Sequence, residues 1–183
     1  MQSLAFACQE AEFPAAIKLV ICNNPKAKGI EIAKQLGIKT IVINHREFDD
    51  RQSFEEKLDL HLQHAEIDLV CLAGFMRILS PFFVQKWQGK LLNIHPSLLP
   101  KFRGLHTHEM ALKAKETVHG CTVHEVANEL DSGPILGQAK VQILPDDTPE
   151  TLAKRVLIAE HELYPQVVRR FCSLLKNRGK QPL

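Results

Sequence analysis

LLNIHPSLLPKFRGLH, residues 91–106, opens with an apolar run that carries Asn93 and His95 to its end, and Pro96 stops it. A run of this kind reads as a strand of an α/β sheet that delivers polar side chains to its carboxyl edge. At a spacing of i, i+2 the two side chains leave a strand on the same face, so an amide and an imidazole can converge on one small group. Asn93 offers two N–H donors, and His95 donates one proton when neutral or acts as a general acid when protonated. Both can hold a developing oxyanion, which suits acyl-type transfer better than redox chemistry.

Outward from this stretch, apolar runs alternate with amphipathic segments. IKLVICN (Ile17 to Asn23) and KTIVIN (Lys39 to Asn44) flank a helical pattern at Ala27 to Leu36, the rhythm of parallel βαβ units. A helix is expected from Ser53 to Ala65, opened by Ser53 with Glu56 three residues later as a capping box. LVCLAGF (Leu69 to Phe75) reads as a buried strand and His108 to Lys115 as a helix. Segments around Cys121 to Val126 and Gln138 to Leu144 read as an antiparallel extension. A final helix is expected from Pro149 to about Leu175, bent or interrupted at Pro165, with a tail frayed beyond it. The expected fold is one α/β domain over residues 1–183, a Rossmann-like, mostly parallel sheet flanked by helices.

Composition narrows the function classes. With 183 residues and 45% apolar content the chain can bury a sizeable core, and a net charge of +2 gives no general reason to expect a nucleic-acid partner. Cys8, Cys22, Cys71, Cys121 and Cys172 are scattered, odd in number and without a CxxC pair, so they read as reduced thiols of a cytoplasmic protein. No apolar run approaches the roughly 20 residues of a membrane span.

The stretch NIHPSLLPKFRGLHTH, preceded by LAGFMRILSP (Leu72 to Pro81) and followed by VHEVANELDSGPIL (Val123 to Leu136) and AEHELYP (Ala159 to Pro165), resembles the phosphoribosylglycinamide formyltransferases. These are the folate-dependent transformylases of purine synthesis. The resemblance runs from the first residues to about Tyr164 and Pro165. It implies direct transfer of a formyl group from 10-formyltetrahydrofolate to the amine of glycinamide ribonucleotide, with no metal. It also implies a formyltransferase fold whose first strand is missing. The family opens with a hydrophobic strand and a Gly-rich phosphate-holding turn, whereas MQSLAFACQEAE resembles the helix that follows that turn. Met1 is therefore expected to be an internal methionine taken as a start, or the chain a truncated product.

The resemblance assigns roles residue by residue. Asn93, His95 and Asp131 are expected to be catalytic, the carboxylate assisting the imidazole. Asp-Ser-Gly-Pro at 131 to 134 has ordinary turn chemistry too, and a turn is a good place to aim a side chain. Folate recognition is expected at Met76, Arg77, Ile78 and Leu79, at Asn93, and along Ala127, Asn128, Glu129, Leu130 and Asp131 as an opposite wall. Arg51 would face the folate's glutamate tail, where a guanidinium suits a carboxylate. Glu160 would face the ribonucleotide. Alternatives are a formyl-tetrahydrofolate hydrolase or another formyl-folate enzyme, an inactive folate-binding paralogue, and a metal module built on His95, His106, His108, His119 and His124. The last lacks HExxH or Cys-rich spacing.

Overall fold

The computed structural model describes residues 1–178, and the expected frayed tail falls in part on 179–183, outside them. The chain divides into two compact units, 1–91 and 92–183. The first carries α1 (Gln2–Ala7), β1 (Val20–Cys22), α2 (Gly29–Gln35), β2 (Thr40–Val42), α3 (Arg51–His64), β3 (Val70–Leu72) and α4 (Pro81–Lys86). β4 (Leu91–His95) begins where that unit ends. The second unit continues with α5 (Thr107–Lys113), β5 (Val118–Glu125), β6 (Ile135–Gln142) and α6 (Pro149–Arg178).

In the first unit β1 and β2 pair in parallel, Ile21 opposite Ile41, joined by α2 as a βαβ crossover requires. The pair forms a two-stranded sheet, so each strand has an open edge and Val20, Ile21 and Ile41 stay half-exposed. The strand expected over Leu69 to Phe75 is shorter and only half-buried. It spans Val70–Leu72, and Gly74 at φ 70° turns the chain away. Burial concentrates in the helices, with Ile30 and Ala33 from α2 and Phe54, Leu58 and Leu62 from α3.

α3 corrects the capping expectation. Asp50, not Ser53, is the N-cap: its backbone is extended and its side chain accepts the Ser53 N–H at 2.7 Å. A carboxylate is the stronger acceptor at a helix N-terminus. Ser53 Oγ instead donates back to Asp50 O at 3.1 Å, and Glu56 takes a bond from Gln52 at 2.8 Å. α4 was not expected from the pattern; Ser80 caps it and Pro81 occupies its first turn, where the missing N–H costs nothing.

In the second unit β4, β5 and β6 form an antiparallel ladder, as expected for the β5 and β6 segments. Gly120 lets β5 pass β6 closely, since a Cβ there would collide with the Ala139 carbonyl oxygen. α6 packs on this ladder through Leu152 and Val156, which bury with Cys121. Of the bend or interruption expected at Pro165, the interruption does not occur: α6 runs 30 residues through it. Tyr164, Val167 and Val168, each 3% exposed, are buried on either side of the proline, and the Tyr164 hydroxyl donates to Leu92 O at 3.2 Å. Packing outweighs the one lost backbone bond.

Candidate active site

β4 positions the first two side chains. Leu91 and Leu92 are fully buried and drive the strand inward, and Pro96 ends it. The register sets Asn93 opposite His124 and His95 opposite Thr122. Directly opposed residues share a face, so all four side chains emerge on the same side of the ladder. Thr122 anchors the loop that follows β4: its hydroxyl donates to Ser97 O at 2.6 Å and accepts from Leu99 N at 3.1 Å. Ser97 Oγ donates to Lys101 O and Thr107 Oγ1 to Pro96 O, which fix the same loop at both ends.

His95 is 5% exposed, and both its ring nitrogens face oxygen. Nε2 lies 2.9 Å from the Phe102 carbonyl, which can only accept, so Nε2 carries a proton. Nδ1 lies 3.4 Å from Asp131 Oδ2. The imidazole thus lies between a backbone carbonyl and a carboxylate.

Asp131 reaches this position from a turn at φ 48°, a left-handed conformation that Asp tolerates better than most residues. Gly133 holds the turn against the end of β5, because a Cβ there would collide with the Glu125 carbonyl oxygen. Asp131 Oδ2 also accepts the Gly104 N–H at 2.9 Å, and Oδ1 lies 3.6 Å from His124 Nε2. Burial pushes the Asp131 carboxyl up, but the His124 hydrogen bond, the Gly104 N–H and the two imidazole charges outweigh it. The group is held below its ordinary value and is a carboxylate.

His124 was not singled out as catalytic from the sequence. Its Nδ1 donates to Glu125 O at 2.8 Å, leaving Nε2 to face Asn93 Nδ2 at 3.3 Å and Asp131. His124 Nε2 therefore ties the Asn93 amide and the Asp131 carboxylate to one ring. Asn93, His95, His124 and Asp131 thus form one connected group. An amide donor and a protonated imidazole beside a carboxylate can stabilise negative charge on an oxygen and move a proton.

The remaining expected residues are distributed over both units. Arg51 opens α3, exposed and without an ion pair among the described residues. Met76 and Ile78 are 76% and 57% exposed, Leu79 is buried, and the Arg77 guanidinium sits 5.9 Å over the Phe54 ring. In the second unit Ala127 is half-buried and Asn128, Glu129 and Leu130 are exposed, with Glu129 paired to Arg103 at 3.0 Å. Glu160 lies on α6, where burial pushes its carboxyl up to about 7. Of the other histidines, His106 is exposed beside Glu109, while His108 and His119 pack edge-to-face 5.1 Å apart and both feel the charge of His95. Among the described residues no group of three or more His, Cys, Asp or Glu is placed to hold a metal ion.

The formyl transferase family matches residues 1–168. The human trifunctional purine biosynthetic protein adenosine-3 is 47% identical over 173 residues, covering 94% of this chain and 17% of that protein. Phosphoribosylglycinamide formyltransferase of Escherichia coli K12 is 43% identical over 171 residues, 93% of this chain and 81% of that one. The crystal structure of phosphoribosylglycinamide formyltransferase from Brucella melitensis superposes with a TM-score of 0.90 at 46% identity, covering 94% and 88%. The chain thus spans less than a fifth of the trifunctional relative and about four fifths of the bacterial one.

Proposed function

Since the chain belongs to the formyl transferase family, we propose that it transfers a formyl group from 10-formyltetrahydrofolate to the primary amine of glycinamide ribonucleotide, a step of purine biosynthesis. The observation that carries this reading is the gathering of Asn93, His95 and Asp131 into one group of side chains, with His124 between Asn93 and Asp131, at the end of β4.

The amine attacks the formyl carbon, and the carbonyl oxygen becomes an oxyanion. The Asn93 amide and the His95 ring are the donors for that oxygen. His95 Nε2–H is occupied by Phe102 O in this structure, so the substrate oxygen takes the place of that carbonyl. A proton leaves the attacking amine and one reaches the departing folate nitrogen, with His95 as the acid and Asp131 holding the imidazolium by its charge. No covalent enzyme intermediate and no metal take part.

We assign folate contacts to Arg51, Met76, Arg77, Ile78 and Leu79 and to Asn93 and Ala127–Asp131, and a ribonucleotide contact to Glu160. The resemblance of the motifs supports these roles. The exposure of Met76 and Ile78 suits apolar side chains that line a ligand pocket. We assign the protein to the cytoplasm, in keeping with scattered cysteines that form no CxxC pair. No helix among the described residues is long and apolar enough to cross a membrane.

The test is formyl transfer by the purified chain with both substrates, read as formylated ribonucleotide and as released tetrahydrofolate. Both products in equal amounts are expected. Tetrahydrofolate with free formate and no formylated ribonucleotide would instead identify a hydrolase.

A further inference from the structure

We infer that Glu55 is a positioning residue for the folate co-substrate, holding the segment Met76–Leu79 in place; the inference rests on the folate role proposed above for that segment. Glu55 is 1% exposed, and no cation is paired with it among the described residues. A carboxylate buried so deeply is costly unless its oxygens are satisfied. Both are satisfied by one residue: Oε1 accepts the Ser80 backbone N–H at 2.8 Å, and Oε2 accepts the Ser80 hydroxyl. Ser80 is the residue immediately after Leu79, and its Oγ in turn accepts Phe83 N–H to cap α4.

The neighbours of Glu55 give this contact a direction. Phe54, buried at 2% exposure, lies under the Arg77 guanidinium, so α3 touches the segment at Arg77 as well as at its end. Met76 and Ile78, between and beside these two fastenings, remain largely exposed. Asp59, one turn beyond Glu55, holds the far end of α4 through Lys86 at 2.5 Å and Trp87 Nε1 at 3.1 Å. Arg51, one turn before Glu55, lies on the same helix face at a spacing of four. One stripe of α3 therefore carries the proposed glutamate-tail residue and the anchor of the proposed pterin-reading segment, and the helix fixes the spacing between them.

The test measures 10-formyltetrahydrofolate binding by calorimetry, and kcat and both KM values, in Glu55→Ala, Glu55→Gln and Asp59→Ala, with the Tm of each. Glu55→Ala is expected to weaken folate binding roughly tenfold or more, the scale of losing hydrogen bonds to a charged group, with a matching rise in folate KM. The ribonucleotide KM and kcat at saturating folate should stay within about twofold. Glu55→Gln should restore most of the affinity, because its amide oxygen accepts Ser80 N–H while its NH2 donates to Ser80 Oγ. Asp59→Ala should lower Tm at least as much and leave folate binding within about twofold. Unchanged folate binding in Glu55→Ala, or an equal loss in Asp59→Ala, would overturn the inference while the active parent upholds the proposed function. A parent that binds no formyl-folate would overturn both.

Discussion

At the residue scale the proposed chemistry rests on two donors and a carboxylate. Asn93→Ala should lower kcat by roughly 10²–10³, the cost of one oxyanion donor elsewhere. His95→Ala should also lower transfer strongly with folate binding retained, and near-normal turnover would remove His95 from the mechanism. The carboxyl of Asp131 is held below its ordinary value of 3.8, so it is ionised at any pH above that value and the stability it lends is lost only as pH falls through its lower folded value. Asp131→Asn should therefore depress kcat across the whole neutral range and not merely shift an acid limb. That Asn93, His95 and Asp131 come together was legible because spacing and motif order mark them. His124 was not, because its place opposite Asn93 depends on the β4 to β5 register, and a slip of one residue would send it to the other face. The Phe102 carbonyl and the Gly104 N–H, which complete the shells of His95 and Asp131, are backbone groups that no side-chain pattern reveals.

At the element scale the turn between β5 and β6 decides where Asp131 points. Gly133→Ala would force the turn away from the Glu125 carbonyl and should cost about 1–3 kcal/mol in urea unfolding, with a larger loss of kcat than any change in the ribonucleotide KM. An unchanged unfolding midpoint would show that the turn packs more loosely than its backbone implies. The alternation of strands and helices was readable from apolar periodicity, down to β4 and its stop at Pro96. The details that escaped were local competitions. Asp50 and Ser53 are both competent caps, and only the backbone conformation shows that Asp50 wins. Pro165 reads as a helix break, yet Tyr164, Val167 and Val168 bury around it and carry α6 through. Tertiary packing, which sequence periodicity does not weigh, set the second outcome.

At the scale of the whole molecule two buried groups oppose one another in pH. His119 is pushed down to about 4 by burial and then by the charge of His108, so it folds as the neutral ring. Its folded value lies below the ordinary 6.5. The stability it contributes is therefore complete above 6.5 and is lost as pH falls toward about 4, about 3 kcal/mol in all. Glu160 works the other way: burial raises it from 4.5 to about 7, so stability falls as pH rises through that window. Glu160→Gln should thus raise stability at pH 8 by up to about 3 kcal/mol and change it little at pH 4, while weakening ribonucleotide binding. A variant no more stable at pH 8 than the parent would show that Glu160 is not desolvated. The most direct test of the central claim is formylation of glycinamide ribonucleotide by the parent chain beside Asn93→Ala and His95→Ala, with 10-formyltetrahydrofolate binding measured on all three. Transfer in the parent that collapses in both variants while folate binding persists in His95→Ala is the predicted result; equal transfer in all three, or folate binding without any transfer in the parent, would contradict it.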